Sequence, residues 1–143
     1  MLDGLTPKAE ARLSLKSRLA ELTLVRPWVE RLAAEHGTSE EKVFAINICL
    51  EEALSNVIRH GYKGEPDHSL TVDFSASADG GLVFTIEDSA PLFNACAFRE
   101  RPAPASPDEI KPGGQGIPLM RKFAGSLRWE PLPHGNRLTF GFR

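Results

Sequence analysis

The sequence predicts an α+β fold, a two-layer sandwich with helices packed on one face of a mixed, mostly antiparallel sheet. Three observations carry this. Two helical periods fill residues 24–60, apolar alternation marks a hairpin over 70–86, and two further alternating segments close the chain. Helices and strands do not follow strict βαβ alternation, so the helices are expected as one layer over the sheet.

Arg12-Leu-Ser-Leu-Lys16 alternates apolar and polar and reads as a first strand, with Leu13 and Leu15 facing in. Leu19, Leu22, Val25, Val29 and Leu32 then carry a helical period up to Gly37. Pro27 interrupts it. A regular helix starting near Leu24 puts Pro27 in a first turn, where its missing N–H costs little. Thr38-Ser39-Glu-Glu-Lys offers an N-cap for a second helix, expected to run to His60 with Gly61 following it. Leu70, Val72 and Phe74, then Leu82, Phe84 and Ile86, alternate on either side of Ala78-Asp-Gly-Gly81, an antiparallel hairpin ending at Glu87-Asp88. Residues 89–112 contain Pro91, Pro102, Pro104, Pro107 and Pro112, and a segment of that kind is expected to serve as a lid. A glycine cluster at 113–116 opens a short amphipathic helix. Leu127 and Trp129 suggest a strand, Pro133-His-Gly-Asn136 a turn, and Leu138, Phe140 and Phe142 a closing strand.

Composition narrows the function class. The 143 residues are read as one domain, with residues 1–10 frayed. A hydrophobic fraction of 41% and a charged fraction of 25% are ordinary for a soluble globular protein. A formal charge of −2 gives no reason to expect nucleic acid or an acidic membrane surface as partner. No apolar run approaches the roughly 18 residues of a membrane span. The N-terminus lacks the apolar centre of a signal peptide, so a cytoplasmic location is the expectation. With Cys49, Cys96 and four His as the whole complement, neither a disulfide framework nor a zinc site is expected.

Three features carry chemistry. On the second helix Val43, Ile46, Leu50, Ala53, Leu54 and Val57 gather on a core face, while Glu52 and Asn56 stack on another, with Arg59 and His60 near them. A carboxylate can orient or deprotonate a nucleophile. An amide oxygen is a hard ligand suited to Mg²⁺. By itself the pair is also what a solvated helix face looks like. Gly113-Gly-Gln-Gly116 before a helix lets backbone N–H groups approach an anion at a favourable dipole. It is neither a P-loop nor a Rossmann fingerprint. Asp88, at the end of an inward-alternating strand, can accept a hydrogen bond from an exocyclic amine such as adenine N6.

In this order, the features resemble the GHKL ATP-binding superfamily of histidine kinases, type II topoisomerases, Hsp90-type chaperones and mismatch-repair ATPases, and its Bergerat fold. The chain looks most like the small anti-sigma-factor serine/threonine kinases of bacterial partner-switching systems. Glu52-Ala-Leu-Ser-Asn56-Val-Ile-Arg-His60-Gly-Tyr62 is close to their N-box, and Ile86-Glu-Asp-Ser-Ala-Pro-Leu-Phe-Asn94 sits where their Asp box would be. Gly113-Gly-Gln-Gly-Ile-Pro-Leu-Met-Arg-Lys122 matches their second glycine box, and Asn136-Arg-Leu-Thr-Phe140 their last strand.

The resemblance implies ATP and Mg²⁺ as cofactors and a catalytic role for Glu52 toward a protein serine or threonine. It implies that Asn56 holds Mg²⁺ and that Asp88 selects adenine, with Thr139 supporting it through water. Arg59, His60, Ala90, Phe93, Gly113, Gly114, Gln115, Gly116 and Ile117 are the further ATP contacts it implies. The expected partners are a STAS-domain anti-anti-sigma protein, a sigma factor or other regulator, and a second copy in a homodimer. Two positions depart from the family pattern. Ala90 replaces the glycine of Asp-x-Gly, which would cost on the order of 1 kcal/mol if the site needed positive φ. Pro118 removes one N–H donor from the phosphate-facing helix. These departures leave a non-catalytic binding module of the same fold as the alternative. A detached histidine kinase ATPase domain is a third reading, disfavoured because no phosphoacceptor helix pair precedes residues 12–36.

Overall fold

The structure is a computed structural model that describes residues 9–94 and 116–143, with the backbone alone at 116–119. Residues 95–112 of the lid expected over 89–112, Cys96 among them, the glycines at 113 and 114, Gln115 and residues 1–8 lie outside the described residues.

Five strands form one sheet in the order β1-β2-β3-β5-β4. They are β1 (Ala11–Lys16), β2 (Ser69–Ala76), β3 (Leu82–Asp88), β4 (Ser126–Leu132) and β5 (Gly135–Phe142). Among the described residues every pairing is antiparallel, so the sheet is not mixed as the sequence suggested. The period-2 patterns follow from one face being packed and the other wet. Val72, Phe74, Phe84, Ile86 and Phe140 are buried on the packed face. The cross-strand ion pair of Glu87 and Arg137, 2.8 Å, belongs to the other.

Three helices make the second layer: α1 (Val25–His36), α2 (Glu40–Asn56) and α3 (Gly116–Phe123). Residues Leu19–Leu24 form a 3₁₀ turn instead of joining α1. Pro27 has no N–H to donate to the carbonyl of residue 23, so an α-helix cannot continue back through it. Gly37, at φ 64°, closes α1 in the left-handed conformation that glycine adopts without strain. Ser39 caps α2, its side chain accepting from the Lys42 N–H at 3.2 Å, and Glu40 and Glu41 complement the helix dipole in the first turn.

Trp28 of α1 meets Phe84 edge-on at 5.9 Å, and Ile46, Leu50 and Leu54 of α2 are fully buried. Burial of each such side chain contributes about 1.5–3 kcal/mol. Helix α3 packs beside α2, where the Cys49 thiol lies 3.7 Å from the Met120 carbonyl oxygen. Burial pushes that thiol up to about 12, so it stays protonated and behaves as a small apolar group.

Candidate functional site

Near the end of α2, Glu52 and Asn56 are both half-buried. Among the described residues no hydrogen bond or ion pair engages the Glu52 carboxylate or the Asn56 amide. The adjacent carboxylate behaves differently: Glu51 is held by Arg26 of α1, Nε to Oε1, at 2.7 Å. Of two neighbouring acids, one is committed to helix packing and the other is without a partner among the described residues, one turn before an amide in the same state.

The helix does not then run regularly to His60. Residues Val57–Gly61 form a π turn, closed by the Tyr62 N–H donating to the Val57 carbonyl at 2.7 Å. The extra residue in the turn moves Arg59 and His60 off the spacing of about 100° that would align them with Glu52 and Asn56. Both are exposed.

Two contacts fasten this helix end to the residues after β3. A Cβ on Gly61 would come within 2.8 Å of the Ala90 methyl, so the helix end and Ala90 are packed to the limit. Tyr62 uses its hydroxyl twice, accepting from the Ser89 N–H at 2.7 Å and donating to the Ser69 carbonyl at 2.9 Å. Its ring stacks on His68 at 4.4 Å, and burial raises the phenol above its ordinary value. Ala90 itself is buried and is not at positive φ, so the backbone strain expected of an alanine in this position does not arise.

Asp88 ends β3 and is only 7% exposed. Desolvation raises its carboxyl above the ordinary value, against the hydrogen bonds from Asn136 and Ala90, which lower it. The Ala90 N–H and Asn136 Nδ2 both donate to Oδ1, each at 2.9 Å. Asn136, directly opposite Asp88 on β5, is saturated: Oδ1 accepts from the Trp129 indole at 2.9 Å and the Phe93 N–H at 2.8 Å, while Nδ2 also reaches the Pro91 carbonyl at 3.1 Å. Gly135 makes this approach possible, since a Cβ there would lie 1.7 Å from the Asp88 carbonyl oxygen.

The support expected from Thr139 is corrected by the register. Thr139 pairs with Thr85, three positions along the ladder from the Asp88–Asn136 pair. Three residues along a strand reverse the face, so Thr139 points away from Asp88. The role that sequence reasoning misses is that of Asn136 beside Asp88: the resemblance sets Asn136 at the start of the last strand, but Pro133-His-Gly-Asn136 reads locally as a turn, while β5 already begins at Gly135. Extending the alternation of Leu138, Phe140 and Phe142 one step further back would find it on the inward face.

Phe93 presents an exposed ring and is tied by its backbone. Gly116 is the first residue of α3, with Ile117 and Pro118 in its first turn. Among the described residues no group of three or more His, Cys, Asp or Glu could hold a metal ion. The arrangement is thus a carboxylate and an amide on a helix, without partners among the described residues, fastened to a buried acceptor on the sheet.

Comparison with known proteins gives this arrangement a family. The model of the histidine kinase-like ATPase domain matches residues 15–142. The serine/threonine-protein kinase BtrW of Bordetella bronchiseptica is 27% identical over 113 residues, covering 78% of each chain. The anti-sigma F factor of Halalkalibacterium halodurans is 26% identical over 120 residues, 83% of this chain and 81% of that one. The serine-protein kinase RsbW of Listeria innocua is 26% identical over 120 residues, 81% and 76% of the two chains. Among solved structures, the RsbU and RsbW domains of Rv1364c from Mycobacterium tuberculosis superpose with a TM-score of 0.66 at 16% identity, over 93% of this chain and 32% of that one. The match from residue 15 to residue 142 places this chain in the family of histidine kinase-like ATPase domains.

Proposed function

We propose that this chain is an ATP-dependent serine/threonine protein kinase and anti-sigma-type partner-switching regulator, whose substrate is a STAS-type anti-anti-sigma protein. The observation that carries this is that among the described residues the Glu52 carboxylate, one turn before Asn56, has no partner, and neither has the Asn56 amide, while Glu51 beside them is paired with Arg26. The names of the relatives, serine-protein kinase and anti-sigma F factor, support it. Sequestration of a sigma factor or other regulator, a homodimer and a cytoplasmic location belong to the same proposal.

The residues fit the implied cofactors. Asp88 is a buried acceptor suited to an exocyclic amine, and the Asn56 amide oxygen is a hard donor suited to Mg²⁺. Bound Mg-ATP supplies the transferable phosphoryl group. Asn56 would hold the metal, and Asp88, beside Ala90 and Phe93, would receive the adenine amine; by the resemblance the glycine box of Gly113, Gly114, Gln115, Gly116 and Ile117 would supply N–H groups for phosphate, with the exposed Arg59 and His60 as further contacts. Glu52 accepts the proton of the attacking serine or threonine hydroxyl. Phosphoryl transfer asks mainly for positioning and charge neutralisation, which this set can supply.

The test is incubation with labelled ATP, Mg²⁺ and a STAS protein. Glu52→Gln is expected to cut phosphoserine formation about 10²–10⁴-fold, the usual worth of a general base, while ATP affinity stays near wild type. Asn56→Ala is expected to lose Mg-ATP binding by calorimetry, and Glu51→Gln to retain full activity. Wild-type turnover by Glu52→Gln, or unchanged affinity in Asn56→Ala, overturns the reading. The alternative of a non-catalytic module draws on Ala90 and Pro118. Ala90 does not favour it, being unstrained and packed on Gly61, and Pro118 sits in a helical first turn.

A further inference from the structure

The Asp88 carboxylate does not stand alone, and its surroundings determine which purine it can accept. Asn136 uses all four of its amide hydrogen-bonding positions. The Trp129 indole and the Phe93 N–H can only donate, so the amide oxygen must face them. The Pro91 carbonyl and the Asp88 carboxylate then receive the NH₂ group. A flipped amide would set NH₂ against two donors and oxygen against two acceptors. Trp129, with the Phe93 N–H, therefore fixes the orientation of Asn136 so that its NH₂ group faces Asp88.

We infer that Asn136, locked by Trp129, is a positioning residue that makes this site selective for a 6-amino purine over a 6-oxo purine, acting through Asp88. The inference rests on the ATP-site reading given above. Adenine presents an amine donor at position 6 and guanine presents an oxygen acceptor there. An ionised carboxylate only accepts, whereas a protonated one also donates and can welcome the guanine oxygen. Asp88 is buried, which favours its protonated form. Its two N–H donors on Oδ1 oppose that and leave the carboxylate as an oriented acceptor. Removing the Asn136 donor while keeping the burial tips Asp88 toward the protonated form and relaxes the choice of base.

The experiment measures calorimetric affinities of the full chain for Mg-ATP and Mg-GTP, in wild type, Asn136→Leu and Trp129→Phe, as a function of pH. Wild type is expected to prefer ATP by about a hundredfold or more, since a site built to pair a polar group rejects the mismatched one strongly. Asn136→Leu is expected to reduce that ratio at least about tenfold, and to shift the pH profile of ATP binding upward as Asp88 holds its proton longer. Trp129→Phe keeps the aromatic packing, loses only the N–H, and is expected to reduce the ratio several-fold. It carries the test alone if Asn136→Leu does not fold by circular dichroism. A merely structural role would weaken both nucleotides equally and leave the pH profile in place, and that result overturns the inference while leaving the ATP site standing. Binding of neither nucleotide by wild type would overturn the site reading and this inference together.

Discussion

The methyl group of Ala90 rests against Gly61, so closely that one more carbon on Gly61 would approach it to 2.8 Å. The contact joins the turn that ends α2 to the residue two after Asp88. It gives the glycine after His60 a packing reason instead of a conformational one, because Gly61 is not among the positive-φ residues.

Gly61→Ala is expected to destabilise the protein by about 1–3 kcal/mol through overpacking against a side chain with no rotamer to yield. Ala90→Gly removes the opposing methyl, so the double variant should recover most of that loss. Urea denaturation of the two single variants and the double gives the coupling energy, expected to exceed about 0.5 kcal/mol and to favour the double. Additive losses would show that the two positions do not meet.

Tyr62→Phe keeps the ring and its stack on His68 but withdraws one acceptor and one donor. The Ser89 N–H and the Ser69 carbonyl each lose their partner. A loss of about 1–3 kcal/mol is expected in thermal or urea unfolding. In amide exchange, faster exchange at Ser89 than at the interior of β3 would locate the effect.

Asp88 gives a pH signature. Burial holds its folded pKa above the ordinary 3.8, so between that value and the folded one the native chain keeps a proton that the unfolded chain has released. The unfolded state binds fewer protons there, and stability therefore falls as pH rises through the window and levels off above it. Asp88→Asn has nothing to titrate, so its stability curve is expected to lack that descent in acid-range urea titrations. The same variant replaces an acceptor with an NH₂ group toward the adenine amine, and ATP affinity should drop at least about tenfold.

Much of the fold is legible from residues alone, and the reasons differ by element. Leu70, Val72, Phe74, Leu82, Phe84 and Ile86 disclose the hairpin because a sheet with one packed face imposes a period of two. Ser39 and Gly37 disclose the helix boundaries because capping is local chemistry. The π turn at Val57–Gly61 leaves no such trace, since one inserted residue rotates the positions after it without changing the apolar pattern. Asn136 is hidden for a related reason. Gly-Asn reads locally as a turn, and only the long-range register of β3 with β5 turns it into the partner of Asp88. The pairing of Glu51 with Arg26 lies equally beyond a one-dimensional reading, because it depends on how α1 crosses α2.

The chain's two tryptophans sit in unlike surroundings. Trp28 is sealed edge-on to Phe84, while Trp129 is half-buried and donates its indole N–H into the amide beside Asp88. Indole emission responds to hydrogen bonding and local polarity, so Trp129 is an intrinsic fluorophore one hydrogen bond from the Asn136 amide that contacts Asp88, and Trp28 an internal reference in the hydrophobic centre. A Trp28→Phe chain would therefore report events at Asp88 optically, without any added label.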